Sequence, residues 1–197
     1  MPEMSALVVV DVQRDFCPGG ALAVSRGDAV VPIINAWIQR AWGEEWPVAV
    51  SRDWHPAQHC SFRSRGGPWP PHCVAETPGA QFHPELLVRA SVRVFSKGSD
   101  PDREAYSAFD GVSEVGQPLA LWLRARGVNH LYVGGLATDY CVKATVLDAL
   151  AIGFGVSVLR RGIRGVNVHP GDAEAALKAM RARGARLIDG LTPPRER

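Results

Sequence analysis

The sequence predicts an α/β fold: three layers, α/β/α, around a six-stranded, mainly parallel sheet of Rossmann-like topology. Short apolar runs rich in β-branched residues alternate with stretches of helical period along most of the chain. Strands separated by helices require right-handed crossovers, which place helices on both faces of a parallel sheet. A chain of 197 residues, 46% hydrophobic and 21% charged, is long enough for one sizeable core and short for two, so 1–197 is read as a single domain.

The strand candidates are ALVVVD (6–11), PVAVS (47–51), VRVF (92–95), HLYVGG (130–135), GVSVL (155–159) and ARLI (185–188). Helical periodicity covers 28–42, 117–126, 139–152 and 172–183, the last opened by a capping signal in PGDAEAALKAM. The exception is 52–90, rich in Pro, His, Trp and Gly. An irregular segment that long within a compact domain usually carries function, and its aromatic content argues against disorder.

A formal net charge of +2 with scattered arginines gives no electrostatic case for nucleic acid. No apolar run reaches membrane-spanning length and the N-terminus lacks a basic region followed by an apolar one, so no membrane partner and a cytoplasmic location are expected. Cys17, Cys60, Cys73 and Cys141 show no paired zinc-finger spacing and are expected as free thiols. A homo-oligomer stays open, because apolar surface and core positions are not separable from sequence.

Ligands of open α/β sheets sit beyond the carboxyl ends of the strands. Four such ends carry reactive side chains: Asp11, Asp53 with His55, Lys97, and the turn GLATDYC leading to Cys141. A thiol in the first turn of a helix meets unpaired N–H groups and the positive end of the dipole, which favour a thiolate. A free cysteine is otherwise most often a small buried hydrophobe, and a lysine after a strand is most often solvated. Together, Cys, Asp and Lys supply a nucleophile, a proton acceptor and a charge stabiliser, which suits acyl transfer at an amide. In RDWHPAQHC, Asp53 and His55 at i and i+2 face one side of an extended chain, and WPPHCV adds His72. Two imidazoles and a carboxylate leave coordination positions open on one divalent metal ion, zinc first, with iron and manganese as alternatives; His59 is a further candidate ligand.

The stretches VVVDVQRDFCPGGAL, SRDWHPAQHCSF, WPPHCV with TPGAQFHPEL, FSKGSDPDREAYSAF and GGLATDYCVKATVLDAL follow one another over most of the first 150 residues. In order and spacing the chain resembles the metal-containing nicotinamidase branch of the isochorismatase-like cysteine hydrolase family. That resemblance implies a catalytic triad of Asp11, Lys97 and Cys141, and a metal site of Asp53, His55 and His72. It further implies a cis peptide between Leu136 and Ala137, an oxyanion hole made by the backbone N–H groups of Ala137 and Cys141, and a substrate pocket including Phe16, Trp69, Tyr106, Leu136 and Ala137. The implied activity is hydrolysis of nicotinamide to nicotinate and ammonia in NAD salvage, with pyrazinamide as a further substrate. The alternative is a related cysteine amidohydrolase acting on an N-carbamoyl compound or another small amide.

Overall fold

The computed structural model describes residues 4–190. Six strands form one sheet in the order β3-β2-β1-β4-β5-β6: β1 (Ser5–Val10), β2 (Val48–Asp53), β3 (Arg93–Lys97), β4 (His130–Leu136), β5 (Gly155–Arg164) and β6 (Arg186–Ile188). All five pairings are parallel, so the expectation of a mainly parallel sheet is exceeded. Strand β1 is buried at every position, as the run ALVVV requires when helices cover both faces.

Alternation along β1 divides the core. Leu7 and Val9 face α1 (Val31–Gly43) through Ile34, Trp37 and Ile38. Ala6, Val8 and Val10 face α2 (Leu119–Arg124), α3 (Lys143–Ala151) and α4 (Asp172–Ala182) through Leu123, Val146 and Met180. Helix α2 starts later than expected, after the extended Pro118, and α3 starts at Lys143 because a π-helical turn occupies Thr138–Val142; α4 starts at Asp172 as expected, but its N-cap is Gly171 with a φ of 95° and no side-chain cap. Strand β5 runs beyond 159 after a register shift against β4 between Val133 and Gly135.

The chain leaves β1 toward β2 and β3, then returns to lay β4 on the other side of β1. The crevice beyond the carboxyl ends of β1 and β4 is therefore the point where strand order reverses. Segment 54–92 is built from turns, short 3₁₀ turns and isolated bridges, among them His55 with Val74 and Phe62 with Trp69. Among the described residues, no helix is long and apolar enough to cross a membrane.

Candidate active site

Asp11 follows the last residue of β1, Lys97 ends β3, and Cys141 lies in a π-helical turn (Thr138–Val142) between β4 and α3. Three strands thus deliver three side chains to one place. The Lys97 ammonium lies 2.9 Å from Asp11 Oδ2, donates to Asp53 Oδ1 at 2.5 Å and to the Ala105 carbonyl at 3.0 Å, and stands 3.6 Å from Cys141 Sγ. Ser51, on β2, donates to Asp11 Oδ1 at 2.6 Å. The Asp11 and Lys97 side chains are wholly buried. The peptide between Leu136 and Ala137 is cis, and Gly135 before it has a φ of 129°. A Cβ on Gly135 would overlap the Val10 backbone, so only glycine lets β4 approach β1 beside Asp11.

Electrostatics in this cluster run against one sequence expectation. Burial pushes the Cys141 thiol well above its ordinary value. The Lys97 ammonium opposes this, but Asp11 and Asp53 and the hydrogen bond to Asp11 reinforce it. The helix N-terminus does not by itself make a thiolate here, and the proton rests on sulfur beside a carboxylate able to accept it. Burial also raises Asp11 despite Lys97. Burial would lower Lys97, yet Asp11 and Asp53 hold it firmly protonated. Asp53 is the carboxylate that stays charged: burial alone would raise it, and Lys97 and His55 bring it well below the usual range.

Donor atoms of Asp53, His55 and His72 gather within 4.8 Å of one another, all in buried residues. Each imidazole is oriented from behind. His55 Nδ1 donates to the Gly98 carbonyl at 2.9 Å and His72 Nδ1 to the Pro70 carbonyl at 2.8 Å, since a carbonyl can only accept. Burial lowers His72 and leaves its Nε2 with a lone pair, whereas Asp53 Oδ2, 3.5 Å from His55 Nε2, raises His55 despite burial, so a metal would take the place of a proton on that nitrogen. A carboxylate and two so-oriented neutral imidazoles fit a divalent cation with open positions. His59 is placed otherwise. Its Nε2 donates to the Arg103 carbonyl at 3.0 Å, and its Nδ1 pairs with Ser61 Oγ at 2.7 Å. Both nitrogens are committed, and the His59 ring stacks on His55 with centroids 4.1 Å apart instead of joining the three donors.

A small cavity opens onto Cys141, with Asp53 and His72 on its wall. Phe16, Trp69, Tyr106 and Ala137 line it as expected, and Trp69 Nε1 donates to the Tyr106 hydroxyl at 3.2 Å. Leu136 does not line it. That side chain is fully buried in the core, on the same sheet face as Tyr132. Leu22, Tyr140 and Val166 complete the wall instead, and the Tyr140 ring meets Trp69 edge-on at 5.0 Å. Val166 arrives from the far end of β5, where the Asp139 carboxylate accepts the N–H groups of Val166 and Asn167 at 2.9 and 2.7 Å. The signal for Tyr140 was its place beside Cys141; Leu22 and Val166 carry none in sequence.

The parallel α/β/α sheet thus brings a buried cysteine, carboxylate and ammonium together at its switch point. The chain belongs to the isochorismatase domain family, which matches residues 5–190. It is 46% identical to a nicotinamidase of Escherichia coli K12, over 92% of this chain and 93% of that one. Among solved structures it is similar to a pyrazinamidase of Pyrococcus horikoshii in complex with zinc, with 46% identity, a TM-score of 0.87, and 94% and 99% of the two chains covered. It is also similar to PnC1 of L. infantum in complex with nicotinate, with 35% identity, a TM-score of 0.81, and 94% and 92% covered.

Proposed function

We propose that this protein hydrolyses the carboxamide of nicotinamide to nicotinate and ammonia, with Cys141 as nucleophile, Asp11 as proton carrier and Lys97 as the charge that holds them together. One observation carries the reading: the Lys97 ammonium touches Asp11 and Asp53 and stands 3.6 Å from Cys141 Sγ, at the cavity onto which His72 also opens. The similarity to a nicotinamidase and to a nicotinate-bound structure supports the choice of substrate.

The residues divide the work as follows. Asp11 takes the proton from Cys141 Sγ as sulfur attacks the carboxamide carbon. Charge moves onto the carbonyl oxygen, where the backbone N–H groups of Ala137 and Cys141 receive it. Asp11 returns the proton to nitrogen, the C–N bond breaks, and ammonia leaves a thioester on Cys141. Water then adds to the thioester carbon and yields one proton to Asp11; the S–C bond breaks, that proton returns to sulfur, and the acid departs and loses its remaining proton to ammonia or solvent as nicotinate. Phe16, Trp69 and Tyr106 hold the ring so that its carbonyl carbon faces the thiol.

A divalent cation, zinc by similarity to the Pyrococcus horikoshii structure, would be held by Asp53, His55 and His72 and would supply a Lewis acid for the pyridine nitrogen. The segment 52–90 then serves as metal- and substrate-binding segment of a single-domain enzyme.

Ammonia release from nicotinamide tests the assignment. Cys141→Ala and Asp11→Asn are expected to lose activity, and a near-normal rate in either overturns its role. The same assay with an N-carbamoyl amide separates the alternative substrate class. Metal content of Asp53→Ala, expected below one ion per chain, tests the ligand set.

A further inference from the structure

Gln13 is fully buried two residues beyond Asp11, and nothing in the reaction above uses it. Its amide makes three hydrogen bonds. Oε1 accepts the Asp53 N–H at 2.8 Å, and Nε2 donates to the Asp53 carbonyl at 2.8 Å and to the Ala80 carbonyl at 2.9 Å. The amide orientation follows from its partners, because an N–H requires the oxygen and two carbonyls require the nitrogen.

These bonds occupy a gap in the sheet. The β1–β2 register runs only to Val9 with Val50, followed by a bond from Asp11 N–H to the Ser51 carbonyl. At Asp11 the chain turns away with a φ of 49°, leaving Asp53, the last residue of β2, without a backbone neighbour on that side. The primary amide of Gln13 presents one acceptor and one donor side by side, as the missing strand would. On its other side Asp53 still pairs with Lys97 of β3.

The third bond reaches the second half of the metal site. Ala80 closes a short turn whose Gly79 packs on Asp15, where a Cβ would overlap the carboxylate. Asp15 Oδ2 accepts the N–H of Cys73 at 2.7 Å, directly after His72. Gln13 and Asp15 therefore span the 78–80 turn and link the backbone of Asp53 to that of His72.

We infer that Gln13 is a positioning residue for the metal site: its side-chain amide substitutes for a strand to hold Asp53 and, through Ala80, sets the spacing between Asp53 and His72. This inference rests on the metal-site reading given above. Outer residues that orient metal ligands typically change affinity by about 10- to 100-fold when replaced.

The test is zinc affinity of the full chain, measured by competition with a chromophoric chelator. Gln13→Met keeps the volume and removes all three bonds; Gln13→Glu keeps the acceptor for Asp53 N–H and loses both donors. Each is expected to bind zinc about 10- to 100-fold more weakly than the parent chain. A core variant on α1 outside the metal-ligand cluster, Ile38→Val, controls for lost stability and is expected to keep the parent affinity. Parent-like zinc affinity in both folded Gln13 variants overturns the inference while leaving the metal site standing. Failure of the parent chain to bind one zinc removes the metal reading and this inference together. If Gln13→Met does not fold, Gln13→Glu alone decides.

Discussion

The Lys97 ammonium donates to Asp53 Oδ1 at 2.5 Å, and this contact joins the cysteine cluster to the metal-ligand cluster. The other Asp53 oxygen faces His55 at 3.5 Å, so one carboxylate serves both groups. Charges in direct contact within a buried site are weakly screened, and each group's protonation depends on the others.

Lys97→Met leaves Asp11 and Asp53 buried without their shared counter-charge. Removing one partner of a buried ion pair costs roughly 3–5 kcal/mol, so urea unfolding near neutral pH should show a loss of that size together with loss of ammonia release. The deficit should shrink as pH falls and Asp11 takes up a proton.

Activity should carry a carboxylate limb on the acid side. Asp11 must be ionised to accept the thiol proton, and burial raises it above its ordinary value of 3.8. kcat/KM should therefore fall, as pH drops, at a pH above that value. Ser51 donates to ionised Asp11 and holds it down. Ser51→Ala should move the limb up by about one to two pH units, given roughly 1.5–3 kcal/mol for a hydrogen bond to a charged group. A limb that stays in place counts against Asp11 as proton carrier.

Gly98→Ala should damage the metal site from behind. Gly98 has a φ of 66°, and an added Cβ would overlap the His55 imidazole that donates to the Gly98 carbonyl. The expected result is metal content below one per chain and a stability loss of roughly 1–3 kcal/mol, read by metal analysis and thermal unfolding.

Cys17 offers a pH test remote from the chemistry. Burial, with Asp28 nearby, pushes its thiol up from 9.0 to about 11. At pH 8, iodoacetamide followed by peptide mass analysis should leave Cys17 unmodified in the folded protein. Because the folded value is the higher one, the stability from this group is full below pH 9 and is lost as pH rises through about 11.

Much of the site was legible because strand ends in parallel sheets are where side chains converge, and the reactive residues sat at those ends. Asp11, Lys97 and Cys141, and Asp53, His55 and His72, come together in two adjoining buried groups. The departures have physical causes. Leu136 lies beside the cis peptide but alternates into the core, and His59 spends both nitrogens on Ser61 and Arg103. The protonated thiol could not be foreseen, since a sequence shows a helix N-terminus but not two carboxylates brought from other strands. Gln13 and Ser51 look like ordinary residues near strand ends, and only the sheet shows what they hold.

Counting signs gives the shared carboxylate a further meaning. With its thiol protonated, the cluster holds two carboxylates, Asp11 and Asp53, against one ammonium, Lys97, an excess of one negative charge. Attack of sulfur on a neutral amide, with the thiol proton passing to Asp11, adds no net charge but moves the excess negative charge from Asp11 to the substrate oxygen. A divalent cation on Asp53 and two neutral imidazoles would turn that excess into one positive charge. The fold thus places its anionic surplus where a metal would reverse it, and the net charge of the cluster would follow occupancy of the neighbouring site.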